Sequence, residues 1–222
     1  MGYVKFKDPQ TGNQWRSDTD LHLIRESVSI GSPALKTMEL EIPGASGLLD
    51  FSEIFGKRLY DTRPVAISFG KTITSRYEQD SLVKNALHGK RLQIFLSEDL
   101  DHYYLGRVSV GEWSEAAGIG KVTISAPKCD PYKYKKSPTN IVVVVPASGT
   151  TTVELANNHM PAVPTITATA DATIAFGTAQ YSIQANTSYK NLDIELAHGN
   201  NVIKIFAPAR TMVDFRYQEG SL

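Results

Sequence analysis

Apolar and polar residues alternate along most of the chain. Leu92, Ile94 and Leu96 alternate with Arg91, Gln93 and Phe95, and Val122, Ile124 and Ala126 alternate with Lys121, Thr123 and Ser125. Farther on, Leu192, Ile194 and Leu196 enclose Asp193 and Glu195, while Val213, Phe215 and Tyr217 enclose Asp214 and Arg216. A period of two sends successive side chains to opposite faces of a strand, so each stretch predicts a half-buried strand. The longest apolar run, Ile141 to Pro146, also has a strand's length. Gly, Pro and Asn clusters such as Thr11-Gly12-Asn13 and His198-Gly199-Asn200-Asn201 supply turns.

One segment has a different period. Ser75 and Glu78 have the spacing of a capping box, and Leu82, Val83, Ala86 and Leu87 share one helical face. Gly89 stands where a left-handed residue ends a helix, so the pattern predicts a helix over 76–88. A short helical turn is expected after Asp50, with Glu53 in its first turn.

Near residue 146 the composition changes. Before it lie the helix, both tryptophans and most charged residues; after Pro146-Ala147-Ser148-Gly149 come short strands at Thr151–Leu155, Thr165–Ala170 and Tyr181–Ala185. The expected fold is therefore mainly β, in two domains. Residues 1–146 form a β-sandwich-like domain with one α-helix, and residues 147–222 form a compact β-sandwich.

The chain has 222 residues, 41% hydrophobic and 21% charged, which is ordinary for a globular protein. Lys plus Arg and Asp plus Glu are 23 each, so the formal net charge is zero. Zero balance argues against sequence-specific nucleic-acid binding, which draws on an excess of Lys and Arg, and removes a repulsion that keeps monomers apart. Cys129 is the single cysteine, so no intrachain disulfide forms and a reducing compartment is expected. The polar stretch Met1 to Gln14 is not a signal peptide, and no apolar run approaches the roughly 20 residues of a membrane span, so no membrane insertion is expected.

Catalytic motifs fail at identifiable residues. Gly70-Lys71-Thr72 resembles the end of a phosphate loop, but Val65 stands where the first glycine is needed, and a sheet turn is expected instead. Gly44-Ala45-Ser46-Gly47 has Leu48 where a nucleophile elbow needs glycine. His22, His88, His102, His159 and His198 lack the spacing of a helical zinc site. Glu98, Asp99, Asp101 and His102 lack the glycine and distal glutamate of a calcium loop, so they read as a solvated hairpin turn. The expectation is a non-enzyme with no catalytic residue, metal or cofactor.

The segment Ile42-Pro43-Gly44-Ala45-Ser46-Gly47-Leu48-Leu49-Asp50-Phe51 resembles a loop of the distal tail proteins of long, flexible-tailed (siphovirus-type) phages and prophages of Gram-positive bacteria. Tyr60 with Arg63, Leu87-His88-Gly89, Tyr103-Tyr104 with Gly106-Arg107, and Cys129 to Tyr134 follow in that family's order. Gly199 to Ile203, Phe215-Arg216-Tyr217 and Gly220 resemble its last strands. The resemblance implies an N-terminal ring-forming domain and an outward C-terminal sandwich of galectin or carbohydrate-module type. It implies a homohexameric ring in the virion tail, assembled in the host cytoplasm, with a lumen for DNA. Its implied partners are further copies of itself, the major tail tube protein, the tape-measure end and a tail-associated tip protein.

Two functions are carried forward: a structural ring hub, and a carbohydrate-binding adhesion module for cell-wall glycans. For the first, Ile42, Leu48, Leu49 and Phe51 are candidate subunit-interface residues, because apolar side chains in a Gly-rich loop need cover from their own core or from a neighbour. For the second, Tyr181 and Tyr189 are candidate partner or glycan contacts.

Overall fold

The computed structural model describes residues 2–44, 46–54, 56–72, 76–116 and 119–222. The fold is mainly β, with antiparallel sheets of β-sandwich type and one short helix among the described residues. Its contacts divide the chain into two compact units, Met1–Lys133 and Tyr134–Leu222. The division precedes the composition shift near residue 146 because the apolar strand Thr139–Val144 pairs with Met212–Tyr217 and joins the second core.

The first unit contains β1 (Val4–Lys7), β2 (Gln14–Arg16), β3 (Ile24–Ile30), β4 (Glu39–Glu41), β5 (Leu48–Asp50), β6 (Arg63–Thr72), α1 (Arg76–Leu87), β7 (Arg91–Leu96), β8 (Asp99–Arg107), β9 (Ser109–Val110), β10 (Ser114–Ala116) and β11 (Ile119–Cys129). Its main sheet runs β2-β1-β7-β8-β11-β6-β3, with β9 and β10 added against β11. Phe6, Leu23, Ile67, Phe69, Leu92, Ile94 and Ile124 fill the core. Burying each is worth about 2 kcal/mol. The alternation read in β11 holds, with Val122, Ile124 and Ala126 buried. At the end of β7 it does not: Phe95 is also buried, tilted against Tyr103 at 5.3 Å.

Helix α1 sets Val83, Ala86 and Leu87 into the core. Ser75, the expected cap, lies outside the described residues. Gly89 has φ +77° and donates its N–H to the Val108 carbonyl, and Lys90 Nζ satisfies the carbonyls of Asn85 and Ala86. Gly70, Lys71 and Thr72 are the end of β6, not a turn. A Cβ on Gly70 would stand 2.6 Å from Oε1 of Glu26, whose side chain lies over the strand and pairs with Lys121.

After β12 (Lys133–Lys135), the second unit contains β13 (Thr139–Val144), β14 (Thr150–Asn157), β15 (Thr165–Ala168), β16 (Ala172–Phe176), β17 (Ala179–Ile183), β18 (Gly199–Phe206), β19 (Met212–Tyr217) and β20 (Gly220–Ser221). Sheets β13-β19-β15 and β14-β18-β16-β17 supply a shared core of Leu155, Ile166, Ile174, Ile203, Ile205, Val213 and Phe215. Asn201 is buried and pins the preceding turn, accepting from Ala197 N–H and donating to the carbonyls of Leu155, Ala197 and Gly199. The expected strand at 192–196 is instead a turn. Asn191 Oδ1 accepts from Asp193 N–H and the Asn191 carbonyl from Ile194 N–H, which buries Ile194 and Leu196 but leaves Leu192 78% exposed.

Candidate assembly interface

Between β3 and β6, which are paired neighbours, the chain leaves the sheet and returns as a two-stranded arm. Gly31 N–H binds the Pro64 carbonyl, Asp61 N–H that of Ala34, and Lys36 N–H that of Leu59. Farther out, Phe51 N–H binds the Met38 carbonyl at 2.7 Å, and β4 pairs with β5. At the tip, Gly44 and Gly47 have φ of +86° and +89°, the left-handed region that glycine enters without strain. Ser46 is part of this exposed tip, and Ala45 lies outside the described residues. The expected helical turn after Asp50 is a pair of tight turns instead, with Glu53 paired to Arg58 at 2.9 Å.

The register decides what the arm presents. Leu40 stands opposite Leu49, and the same ladder sets Met38 opposite Phe51 and Ile42 opposite Gly47, so five apolar side chains share one face. Glu39 opposite Asp50, and Glu41 opposite Leu48, occupy the other. Residues 34–44 and 46–50 are all exposed, Leu48 at 58% and Leu49 at 47%; Phe51 is half-buried. Of the two covers open to this segment, its own core is thus not the one in use for Ile42, Leu48 and Leu49. The Glu39–Asp50 juxtaposition adds like charges across the ladder, which is unfavourable until a cation approaches.

Several motif residues of the first unit are drawn together in its main sheet and around it. Tyr60 meets Tyr132 edge to face at 6.0 Å, and the Arg63 guanidinium lies 5.7 Å from the Tyr104 ring centre. Arg63 is 5% exposed and pairs in register with Cys129, which in turn pairs with Gly106. Arg107 donates to the Gly89 carbonyl, and His88 Nδ1 accepts the Val110 N–H at 3.1 Å. These four motifs, at Tyr60 with Arg63, Leu87–Gly89, Tyr103–Arg107 and Cys129–Tyr134, therefore position one another, a structural role that their separation in sequence conceals.

Gly106 is the tightest of these contacts. A Cβ there would sit 2.5 Å from Cys129 Sγ and 3.2 Å from Ala126 Cβ. Gly106→Ala should lower unfolding free energy by about 2 kcal/mol in a denaturant titration, as overpacking does. Cys129 itself is fully buried, and burial pushes its thiol up to about 12. The thiolate is the reactive form, so at pH 8 the folded protein should leave an aromatic disulfide reagent unreduced and react with it only in guanidinium.

Two carboxylates of the acidic cluster, Glu98 and Asp99, are held in ion pairs. Burial acts to raise the Asp99 carboxyl, but the hydrogen bonds from His102 and Lys133 outweigh it and hold the group below its usual range. Glu98 forms a bidentate pair with Arg25. Among the described residues, no three His, Cys, Asp or Glu side chains converge to hold a metal. The structure does bring His159 and His198 into a parallel stack at 4.2 Å, which their distance in sequence gave no means of seeing. Tyr181 and Tyr189 stand opposite the buried Ile174 and Ile166 and pack half-buried against the second core. Asn191 Nδ2 donates to the Tyr189 hydroxyl.

By sequence the chain matches no family model and no curated protein. Among solved structures it is similar to the crystal structure of the SPP1 Dit protein (gp 19.1), described as a paradigm of hub adsorption apparatus in Gram-positive infecting phages. The likeness has a TM-score of 0.65 at 14% identity and covers 100% of both chains. The two proteins share a fold over their whole length.

Proposed function

We propose that the protein is a distal-tail hub component of a phage or phage-like particle, which acts by assembly and not by catalysis. The observation that carries the reading is the arm: five apolar side chains on one face of a ribbon that its own chain leaves largely uncovered. A second copy is the natural cover, because a ribbon leaving the sheet of one copy can lie on the next and repeat around a closed ring. Strands β2 and β3 end the main sheet's order and offer edges to the same neighbours. The fold likeness to a hub protein and the order of the sequence motifs support the same assignment from independent directions.

On this reading the ring is a homohexamer in the virion tail, assembled in the host cytoplasm. It joins the major tail tube protein and the tape-measure end to a tail-associated tip protein. Its zero formal charge suits a lumen that passes DNA without holding it. Size exclusion with light scattering should give a concentration-dependent hexamer, and negative-stain images of the peak should show rings. A protein that stays monomeric both in concentrated solution and in assembled particles would rule the reading out.

A further inference from the structure

The solvent face of the sheet β13-β19-β15 leads into a groove of about 410 Å³ that the arm does not explain. Met160, Pro161 and Leu192 form apolar parts of its wall, and Lys190 and Arg216 bring two cations to it. Neither cation belongs to an ion pair among the described residues. Arg216 projects from the central strand opposite Asn140 and Thr165, between the buried Phe215 and Tyr217, so the strand's alternation fixes its direction. Among the described residues Leu192 is the most exposed large apolar side chain, and the hydrogen-bonded turn at Asn191 holds it there. An ordered aliphatic side chain kept in water beside two unpaired cations is matched by a carboxylate with aliphatic neighbours.

The surroundings narrow the class of ligand. Asp214 precedes Arg216 by two residues, on the same face of β19, and Asp193 adjoins Leu192, so a run of anionic groups would be repelled after the first. The one aromatic residue lining the groove, Tyr217, is 3% exposed and donates its hydroxyl to the Ala156 carbonyl, which leaves no ring for a sugar to stack on. We infer that this groove docks a segment of a partner protein carrying a single carboxylate between aliphatic side chains. The inference rests on the second unit alone and goes beyond ring formation by the first.

The test uses the full chain and the fluorescently labelled peptide Ser-Leu-Glu-Leu-Ser, capped at its carboxyl end, with a Gln-for-Glu control. The Glu peptide should bind at least about tenfold more tightly than the control, the ratio expected for a charge-assisted pair. The combined K190Q and R216Q chain should lose that preference, and Leu192→Ser should weaken both peptides; all three positions are exposed, so circular dichroism should not change. Equal affinity for the two peptides, or no binding of either at millimolar concentration, overturns the inference. So does tighter binding of inorganic polyphosphate than of the Glu peptide, which would make the occupant a polyanion. Loss of self-association in the K190Q and R216Q chain would also overturn it, because the groove would then be covered by a second copy.

Discussion

A chain carrying Leu49→Ser and Phe51→Ser is expected to fold and to fail to form rings. Covering a half-exposed Leu or Phe recovers roughly 1 kcal/mol, and replacing it with Ser leaves a hydroxyl to desolvate as well. The pair together should therefore weaken each contact between copies by about 2–3 kcal/mol, a factor of roughly 30–140 in its dissociation constant. In a closed ring each copy takes part in two such contacts, so the loss is felt twice per subunit. Stability should change little, because Leu49 is 47% exposed and the arm is remote from the buried cluster of its unit. The half-buried Phe51 sets the upper bound, a fall in melting temperature of about 3 °C. Light scattering and a thermal melt on the same sample separate the outcomes. A melting temperature lower by about 10 °C, with unchanged association of the folded fraction, would assign the arm to its own core.

The sequence made the strands legible where one face is buried and the other wet. In β11 and β19 the alternation alone identifies the inward residues, since Val122, Ile124, Val213 and Phe215 are all buried. It misled at 192–196, where the same alternation is cut by an Asn191 side chain that closes a turn on its own backbone. It also misled at Gly70, which reads as a turn residue but lies inside β6 with the Glu26 side chain of another strand over it. The candidate interface was half legible. That Ile42, Leu48, Leu49 and Phe51 need cover follows from their apolar character. That Met38 and Leu40 join Ile42, Leu49 and Phe51 on one face, with Leu48 on the other, depends on the pairing of Leu40 with Leu49. That register is set by the length and left-handed glycines of the tip, which a linear pattern does not encode. Gly106, Cys129 and Arg63 could be noticed as a series but not understood, because their meaning lies in a shared row of the sheet.

The second large effect concerns where the chain can be cut. A chain ending at Lys133 is expected to be soluble, to melt cooperatively with a β-rich spectrum, and to associate like the full protein. A chain ending at Ser148, beside the composition shift, is expected to aggregate. The fifteen added residues carry β13, whose register with β19 runs from Thr139 opposite Tyr217 to Val144 opposite Met212. Without β19, its half-buried Ile141 and Val143 and the fully buried Val145 just after it lose the second core, at about 2 kcal/mol for a side chain buried as Val145 is. Val142 and Val144 are already more than half exposed on the opposite face. An unpaired run of β-branched residues with both faces bare and no charge is a strand that other copies can add to. Sedimentation of the two truncated chains at equal concentration decides between the boundaries. A soluble chain ending at Ser148 beside an insoluble one ending at Lys133 would place the junction at the composition shift. A Lys133 chain that is folded but strictly monomeric, while the full chain forms rings, would move ring closure into the second unit and take the arm's role with it.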